Sequence, residues 1–184
     1  MDPTDPNLYM CEITLDWLYR GIIVEITDRR IKFDIPKRTA PGSKFVRRFM
    51  GLQDPYTGKH TDLILHVVMP TPRCNYTVRN QVDIVIHNVD VPLVHAVTGQ
   101  GFVTVELPGK SKEQLGITKP VFDCVPPYEL CAGPGLGLID IDETRGITAT
   151  TATNVGDVYI ACRVTLPPMT IDQKSQFTAF MATL

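Results

Sequence analysis

The feature that most restricts the fold is a long strand-like run that occurs twice. Residues 62–70 are DLILHVVMP and residues 157–167 are DVYIACRVTLP, so each run begins with aspartate and ends at proline. Each run closes an arm that also contains a short helical segment ended by glycine, LDWLYRG at 15–21 and VPLVHAVTG at 91–99. A unit that recurs in this order predicts an internal duplication, and therefore two related arms that meet near Pro70.

The rest of the sequence favours short strands and turns over long helices. Fifteen prolines and thirteen glycines interrupt the chain at short intervals, and β-branched residues are concentrated in runs such as residues 22–27. The polar run 110–115 predicts a loop or a helical turn, and residues 121–125 predict a strand. Residues 170–184 carry apolar side chains at helical spacing, with Thr170 as the candidate N-cap. We therefore expect an all-β protein with short helical turns and a C-terminal helix.

Composition and residue spacing argue against several classes of function. A net charge of −2 gives no general attraction for nucleic acid or a membrane surface. No spacing of His, Cys or carboxylates matches a metal site, and no nucleophile has a base partner, so we expect no metal, no cofactor and no catalytic residue. The five cysteines lack a C-x-x-C pair, and the acidic N-terminus differs from a signal peptide. The predicted location is the cytoplasm, with reduced thiols.

Seven short motifs follow one another along most of the chain: ITLDWLYRG at 13–21, Ile-Pro at 35–36 with Pro-Gly-Ser at 41–43, HTDL at 60–63, residues 76–84, Ala96 with Gly99, GDV at 156–158 and IDQK at 171–174. Their order and spacing resemble the C-terminal substrate-binding region of the Hsp40 (DnaJ) co-chaperones. The resemblance implies two tandem β-sandwich subdomains of the peptide-binding type. It divides the chain into a flexible tail at 1–7, a first subdomain at 8–71, a second at 72–168 and a C-terminal, dimerising helix at 169–184.

Several features of the wider family are missing from this sequence. It has no J-domain His-Pro-Asp tripeptide, no Gly/Phe-rich linker and no C-x-x-C-x-G-x-G repeat, so it resembles the zinc-free class. Where the family carries lysines near the site for the acidic Hsp70 tail, this chain has Ile22, Ile23 and Val24. The partners that the resemblance implies are unfolded or extended polypeptides, an Hsp70 tail or a separate J-domain protein, and a second copy of the chain.

The first candidate site is an apolar groove beside an edge strand of the first subdomain, where an extended peptide adds as a further strand. The residues predicted to bind peptide are Met10, Glu12, Ile13, Ile22, Val24, Ile26 and Phe33. The alternative is that these side chains are ordinary core, because the strands of a sandwich must bury one face.

The second candidate site is basic. Residues 20–59 contain ten Lys or Arg against four Asp or Glu. The residues predicted to hold an acidic partner are Arg29, Arg30, Lys32 and Arg47. The alternative is a solvated rim around a strand edge.

The third candidate site is the C-terminal helix. Its apolar stripe consists of Ile171, Phe177, Phe180 and Met181. In the family such a helix docks against its copy in a second subunit, and the alternative is that it packs on its own subdomain.

Two functions follow from these sites. The first is a chaperone-type binding module that holds unfolded or extended segments without itself driving ATP hydrolysis. The second is a structural or assembly subunit, for example in a virus particle or another large complex, which would also place the protein there rather than free in the cytoplasm.

Overall fold

The computed structural model describes residues 6–71, 75–124 and 128–181. Most of the predicted tail at 1–7 and the predicted subdomain boundary at residue 72 therefore lie outside the described residues. The strands are β1 (Leu8–Glu12), β2 (Ile22–Ile26), β3 (Ile31–Ile35), β4 (Lys44–Arg47), β5 (Leu63–Val68), β6 (Tyr76–Arg79), β7 (Asp83–Pro92), β8 (Gly101–Glu106), β9 (Lys112–Ile117), β10 (Glu129–Gly133) and β11 (Val158–Thr165). The helices are α1 (Leu15–Arg20), α2 (Leu93–Thr98) and α3 (Ile171–Met181).

The first lobe consists of two small sheets that face each other across one core. In one sheet β5 lies between β1, to which it is parallel, and β4, to which it is antiparallel. The other sheet is the antiparallel hairpin β2–β3. The strands alternate, so that Phe33, Leu63, Leu65 and Val67 point inward and are fully buried.

The second lobe repeats this topology, as the duplicated sequence pattern predicts. Strand β7 is parallel to β11, β10 is antiparallel to β11, and β8 and β9 form a hairpin. One strand is additional, since β6 pairs with the free side of β7. The all-β, β-sandwich-type fold with short helical turns is confirmed.

The two lobes are interlocked by a segment of the second lobe. The Ala40 and Lys44 N–H groups donate to the Ile139 and Ile141 carbonyls at 2.8 and 2.9 Å, and the Val46 N–H donates to a Glu143 carboxylate oxygen at 2.7 Å. The Ile141 side chain lies in the core of the first lobe. In the opposite direction, Leu15 of α1 and Ala40 belong to the core of the second lobe.

Tertiary pairing overrides the local prediction in two places. The polar run predicted as a loop or helical turn is mostly strand β9, because it pairs residue for residue with β8. The run 121–125 was predicted as a strand, but Val121–Asp123 forms a 3₁₀ turn that buries Val121 in the second core, and Val125 lies outside the described residues.

The helix ends are determined locally. Helix α2 ends at Gly99, which adopts a left-handed φ of 67° and donates its N–H to the His95 carbonyl. At the start of α3, the Gln173 N–H donates to Thr170 Oγ1 at 3.3 Å, and the Thr170 N–H donates to Gln173 Oε1 at 2.9 Å. This reciprocal pair is a capping box and confirms the predicted N-cap. No helix in the described ranges is long and apolar enough to cross a membrane.

Candidate functional site

Three strands of the first lobe, β1, β2 and β3, leave one edge without a strand partner in the described ranges, whereas the outer edge of β4 pairs with residues 141–142. Within the described ranges β1 pairs only with β5, and β2 pairs only with β3. The Ile64 N–H donates to the Asn7 carbonyl and the Ile13 N–H donates to the Val68 carbonyl, both at 2.9 Å. Because the backbone alternates along a strand, the N–H and C=O groups of Met10 face away from β5, toward the open edge.

The opposite side of the sandwich is closed by Arg47 on β4. Its Nε donates to the Lys32 carbonyl on β3 at 3.3 Å, and its guanidinium lies 4.9 Å from the centroid of the Phe33 ring. This side chain therefore connects the two sheets along the β3–β4 side. On the other side of the sandwich we infer a gap between β1 and β2.

One end of this gap is closed by contacts from β1 to the β2–β3 turn. The Tyr9 hydroxyl donates to Asp28 Oδ2 at 3.0 Å, and the Arg29 guanidinium lies 5.4 Å from the Tyr9 ring centroid. Arg29 Nη1 also donates to the Met50 carbonyl at 3.3 Å. The turn is thereby held against the start of β1, which fixes the spacing of the two free edges.

The floor of the gap is apolar. Tyr9 and Cys11 from β1, and Ile22 and Val24 from β2, are partly buried and pack against the first core. Burial raises the pKa of the Cys11 thiol, so that side chain is neutral at physiological pH. We call these four residues with the edges of β1 and β2 the β1–β2 groove. It presents backbone hydrogen-bonding groups at its rim and apolar side chains beneath them.

The structure separates the residues predicted to bind peptide into three groups. Met10 and Glu12 are exposed on β1, with Met10 62% exposed. Ile22 and Val24 are in the floor. The other three, at 0–7% exposure, are core residues beneath the groove, so a peptide cannot contact them in the folded protein: Ile13, Ile26 and Phe33.

Sequence reasoning missed Tyr9 and Cys11, which lie in the floor. The alternation of side chains along a strand could have identified them, because Tyr9 and Cys11 alternate with Met10 and share the inward face with the buried Ile13. The prediction selected the outward-facing residues of β1, whereas a groove between two sheets is lined by inward-facing side chains at an uncovered edge.

The four predicted acidic-partner residues have different roles. Arg29 and Arg47 hold the scaffold, as described above. Lys32 pairs with Glu25 at 3.5 Å on the exposed face of the hairpin, an interaction of small energy at such exposure. Arg30 is exposed in the turn and makes no ion pair or side-chain hydrogen bond with any residue in the described ranges.

Helix α3 is largely exposed. Ile171 is 82% and Phe180 59% exposed. Phe177 is partly buried and, with Met169 and the exposed Val94 and Val97 of α2, lines an apolar cavity of about 670 Å³. Met181 is the last residue of α3, and its side chain is not among the parts of the chain that the structure describes.

The titratable residues of the described ranges do not assemble a reactive centre. No group of three His, Cys, Asp or Glu there could hold a metal ion. Two of the four histidine rings hydrogen-bond to backbone carbonyls: His60 to that of Gly51 at 3.1 Å and His95 to that of Gln100 at 2.8 Å. The chemistry that the site supports is non-covalent recognition of an extended chain.

The protein has two interlocked sandwich lobes, and one of them carries a groove with backbone donors and acceptors at its rim. This architecture is typical of a protein that acts by binding. The family model of the DnaJ C terminal domain matches residues 9–167, so the chain belongs to that family. DnaJ C-terminal domains are chaperone substrate-binding domains, not an enzyme family, and they bind client polypeptides as part of the Hsp70 system. No curated protein matches the chain.

Proposed function

We propose that this protein holds unfolded or extended polypeptide segments in the β1–β2 groove and that this binding requires no J domain. The observation that carries the proposal is the pair of free strand edges above an apolar floor. A client that extends along one edge gains backbone hydrogen bonds whatever its sequence, and alternate side chains of that client enter the floor.

The groove favours an apolar client over an acidic tail. Ile22 and Val24 occupy the floor, and the intervening Ile23 is 65% exposed, so no cation stands on this part of β2. The cations Arg20 and Lys37 line a separate cavity with Ile22 and Ile23 at the start of β2, away from Val24. We therefore place unfolded segments in the groove, and an Hsp70 or a separate J-domain protein acts, in this proposal, through other surfaces.

The proposed functional form of the protein is a homodimer that assembles through α3. Phe180 is largely exposed and lines, with Met169 and Phe177, a cavity next to the one lined by Val94, Val97 and Phe177, whereas Ile171 lies on the opposite face of α3. Contiguous exposed apolar surface of this kind marks an interaction site. Two grooves would then act on one client chain, which raises the effective affinity of weak individual sites.

A variant series on the groove tests the proposal. The probe is a fluorescein-labelled heptapeptide with alternating leucine and threonine, followed by anisotropy. Val24→Glu places a charge in the floor and is expected to weaken binding at least tenfold. The matched control Val155→Glu, at a position 41% exposed in the second lobe, is expected to bind like the wild type.

A second substitution identifies the edge. Met10→Pro removes one outward N–H without disturbing the β1–β5 ladder, and Met10→Ala keeps that N–H. Loss of affinity in Met10→Pro alone assigns the client to β1, and an unchanged affinity assigns it to β2. Absence of wild-type binding at tens of micromolar peptide rejects the client-binding function. A stable, stoichiometric large complex purified from the native source would then favour the assembly subunit.

A further inference from the structure

The connection between β4 and β5 exposes large apolar side chains outside the groove. Phe49 is 71%, Met50 54% and Leu52 46% exposed, within four consecutive positions. None of the three belongs to either core. Clustered exposed apolar residues are uncommon on a soluble protein unless another molecule covers them.

The backbone under these side chains is held firmly. The Phe49 N–H donates to Asp62 Oδ1 at 2.9 Å, and the Leu52 N–H donates to Asn7 Oδ1 at 2.7 Å. Between them, the Gly51 N–H donates to the Thr61 carbonyl at 2.8 Å. Because folding has already fixed this backbone, a partner does not have to order it on binding.

Phe49 has a backbone conformation that its residue type disfavours. Its φ is 58°, in the left-handed region that bulky residues rarely adopt. Asparagine or glycine would fit this backbone better, yet the position holds a largely exposed aromatic ring. Such strain is concentrated at sites where a side chain must be presented to a ligand.

Unpaired cations accompany this connection. Arg30, Arg48 and Lys59 are exposed and make no ion pair or side-chain hydrogen bond with any residue that the structure describes. Two carboxylates lie in the same region and keep their negative charge: Asp62 accepts the Phe49 N–H, and Asp54 accepts the N–H groups of Tyr56 and Thr57. The hydrogen bonds to Asp54 hold the pKa of its carboxyl below the usual range.

We propose that these residues form a second docking surface, the Phe49 patch, which binds an acidic polypeptide segment carrying large apolar side chains. The patch consists of Phe49, Met50 and Leu52 with the cations Arg30, Arg48 and Lys59. Carboxylates of the partner pair with the three free cations, and its apolar side chains cover the exposed hydrophobic residues.

The chemistry of the patch favours a polypeptide over the other anionic partners. Single-stranded nucleic acid binds along tracks of stacked aromatic rings, and the patch has one ring. Anionic membranes are bound by clusters of about four to eight basic residues, more than the three cations here. A protein segment needs only two or three apolar anchors and a few carboxylates, which matches the patch.

The test uses three labelled dodecapeptides in fluorescence anisotropy. The probe has alternating pairs of glutamate and leucine, one control has lysine for glutamate, and the other has serine for leucine. We expect the acidic, apolar probe alone to bind, with an affinity that falls as NaCl is raised. Equal binding of the lysine control, or of oligouridine or phosphatidylserine vesicles with the same dependence on the patch, overturns the proposal.

Two substitutions locate the binding. Phe49→Asn suits the left-handed backbone, so it is expected to leave thermal stability unchanged or higher while binding weakens about tenfold. Arg48→Glu is expected to weaken binding about tenfold and to reduce its salt dependence. The matched controls Phe102→Asn and Lys119→Glu, at exposed positions of the second lobe, are expected to bind normally.

The Val24→Glu variant distinguishes binding at the Phe49 patch from client binding in the β1–β2 groove. If Val24→Glu abolishes binding of the acidic probe while Phe49→Asn does not, the probe occupies the β1–β2 groove and the Phe49 patch is not its site. If the patch variants alone weaken binding, the patch stands whether or not the groove binds clients.

Discussion

The interlock between the lobes predicts that a substitution in the second lobe destabilises the first. Ile141 lies beyond β10 in sequence, but its side chain is 1% exposed in the first core. Ile141→Ala removes three carbons worth about 0.8 kcal/mol each in transfer free energy and leaves a cavity, so we expect a loss of about 3–4 kcal/mol. In urea this loss corresponds to a midpoint lower by about 1–2 M.

Urea unfolding followed by two signals measures this effect. The single tryptophan, Trp17, is on α1 in the first lobe, and far-UV circular dichroism reports the strands of both lobes. Because each core contains side chains from the other lobe, both signals are expected to shift together, in one transition.

The matched control is Ile23→Ala on the exposed face of β2, where the side chain is 65% exposed. We expect it to lower the free energy of unfolding by less than about 1 kcal/mol. A loss below that value for Ile141→Ala, or a first lobe that unfolds at the wild-type midpoint while the second unfolds early, would refute the interlock.

Three further results are expected. Gly99→Ala places a methyl group 2.5 Å from the Lys119 carbonyl carbon and should destabilise by more than Gly135→Ala, which has the same φ of 67° and open space; equal losses in thermal melts would contradict the clash. Burial raises the pKa of the Cys162 thiol to about 11, so its thiolate is scarce at pH 8 and site-resolved alkylation by iodoacetamide should be at least about tenfold slower than for a free cysteine peptide; an ordinary rate would refute it. Hydrogen bonds from Arg163 hold the pKa of Asp90 below its usual range, so this pair stabilises the fold above the unfolded-state pKa and is lost as pH falls through the folded-state value. The melting temperatures of Asp90→Asn and the wild type should therefore differ most above the ordinary pKa of an aspartate and converge as the pH falls below it, and a difference that grows as the pH falls would be the wrong sign.

Local patterns predicted the elements that depend on local physics. Left-handed Gly99 ends α2, and the Thr170 hydroxyl caps α3, because each acts within one helical turn. The polar run of β9 was predicted incorrectly because its strand conformation depends on β8. The strand propensity of individual residues predicts a strand poorly where a hairpin partner supplies the hydrogen bonds.

The candidate site was predicted less completely than the fold. The sequence predicts a peptide-binding groove on β1 and β2, but it cannot show that Phe33 is fully buried while Val24 is only partly buried. Nor could it distinguish the scaffold cation Arg47 from the free cation Arg30, since both are arginines in one basic stretch.

The sequence alone determined an all-β chain built from a duplicated unit, because strand alternation, glycine-ended turns and prolines act over a few residues and recur in the same order. Only the tertiary structure decided which edges are open, which cations are free and which lobe each side chain stabilises. Those properties depend on contacts such as that between Val46 and Glu143, which are 97 positions apart. No local pattern encodes such a contact, since it exists only when both lobes have folded around each other.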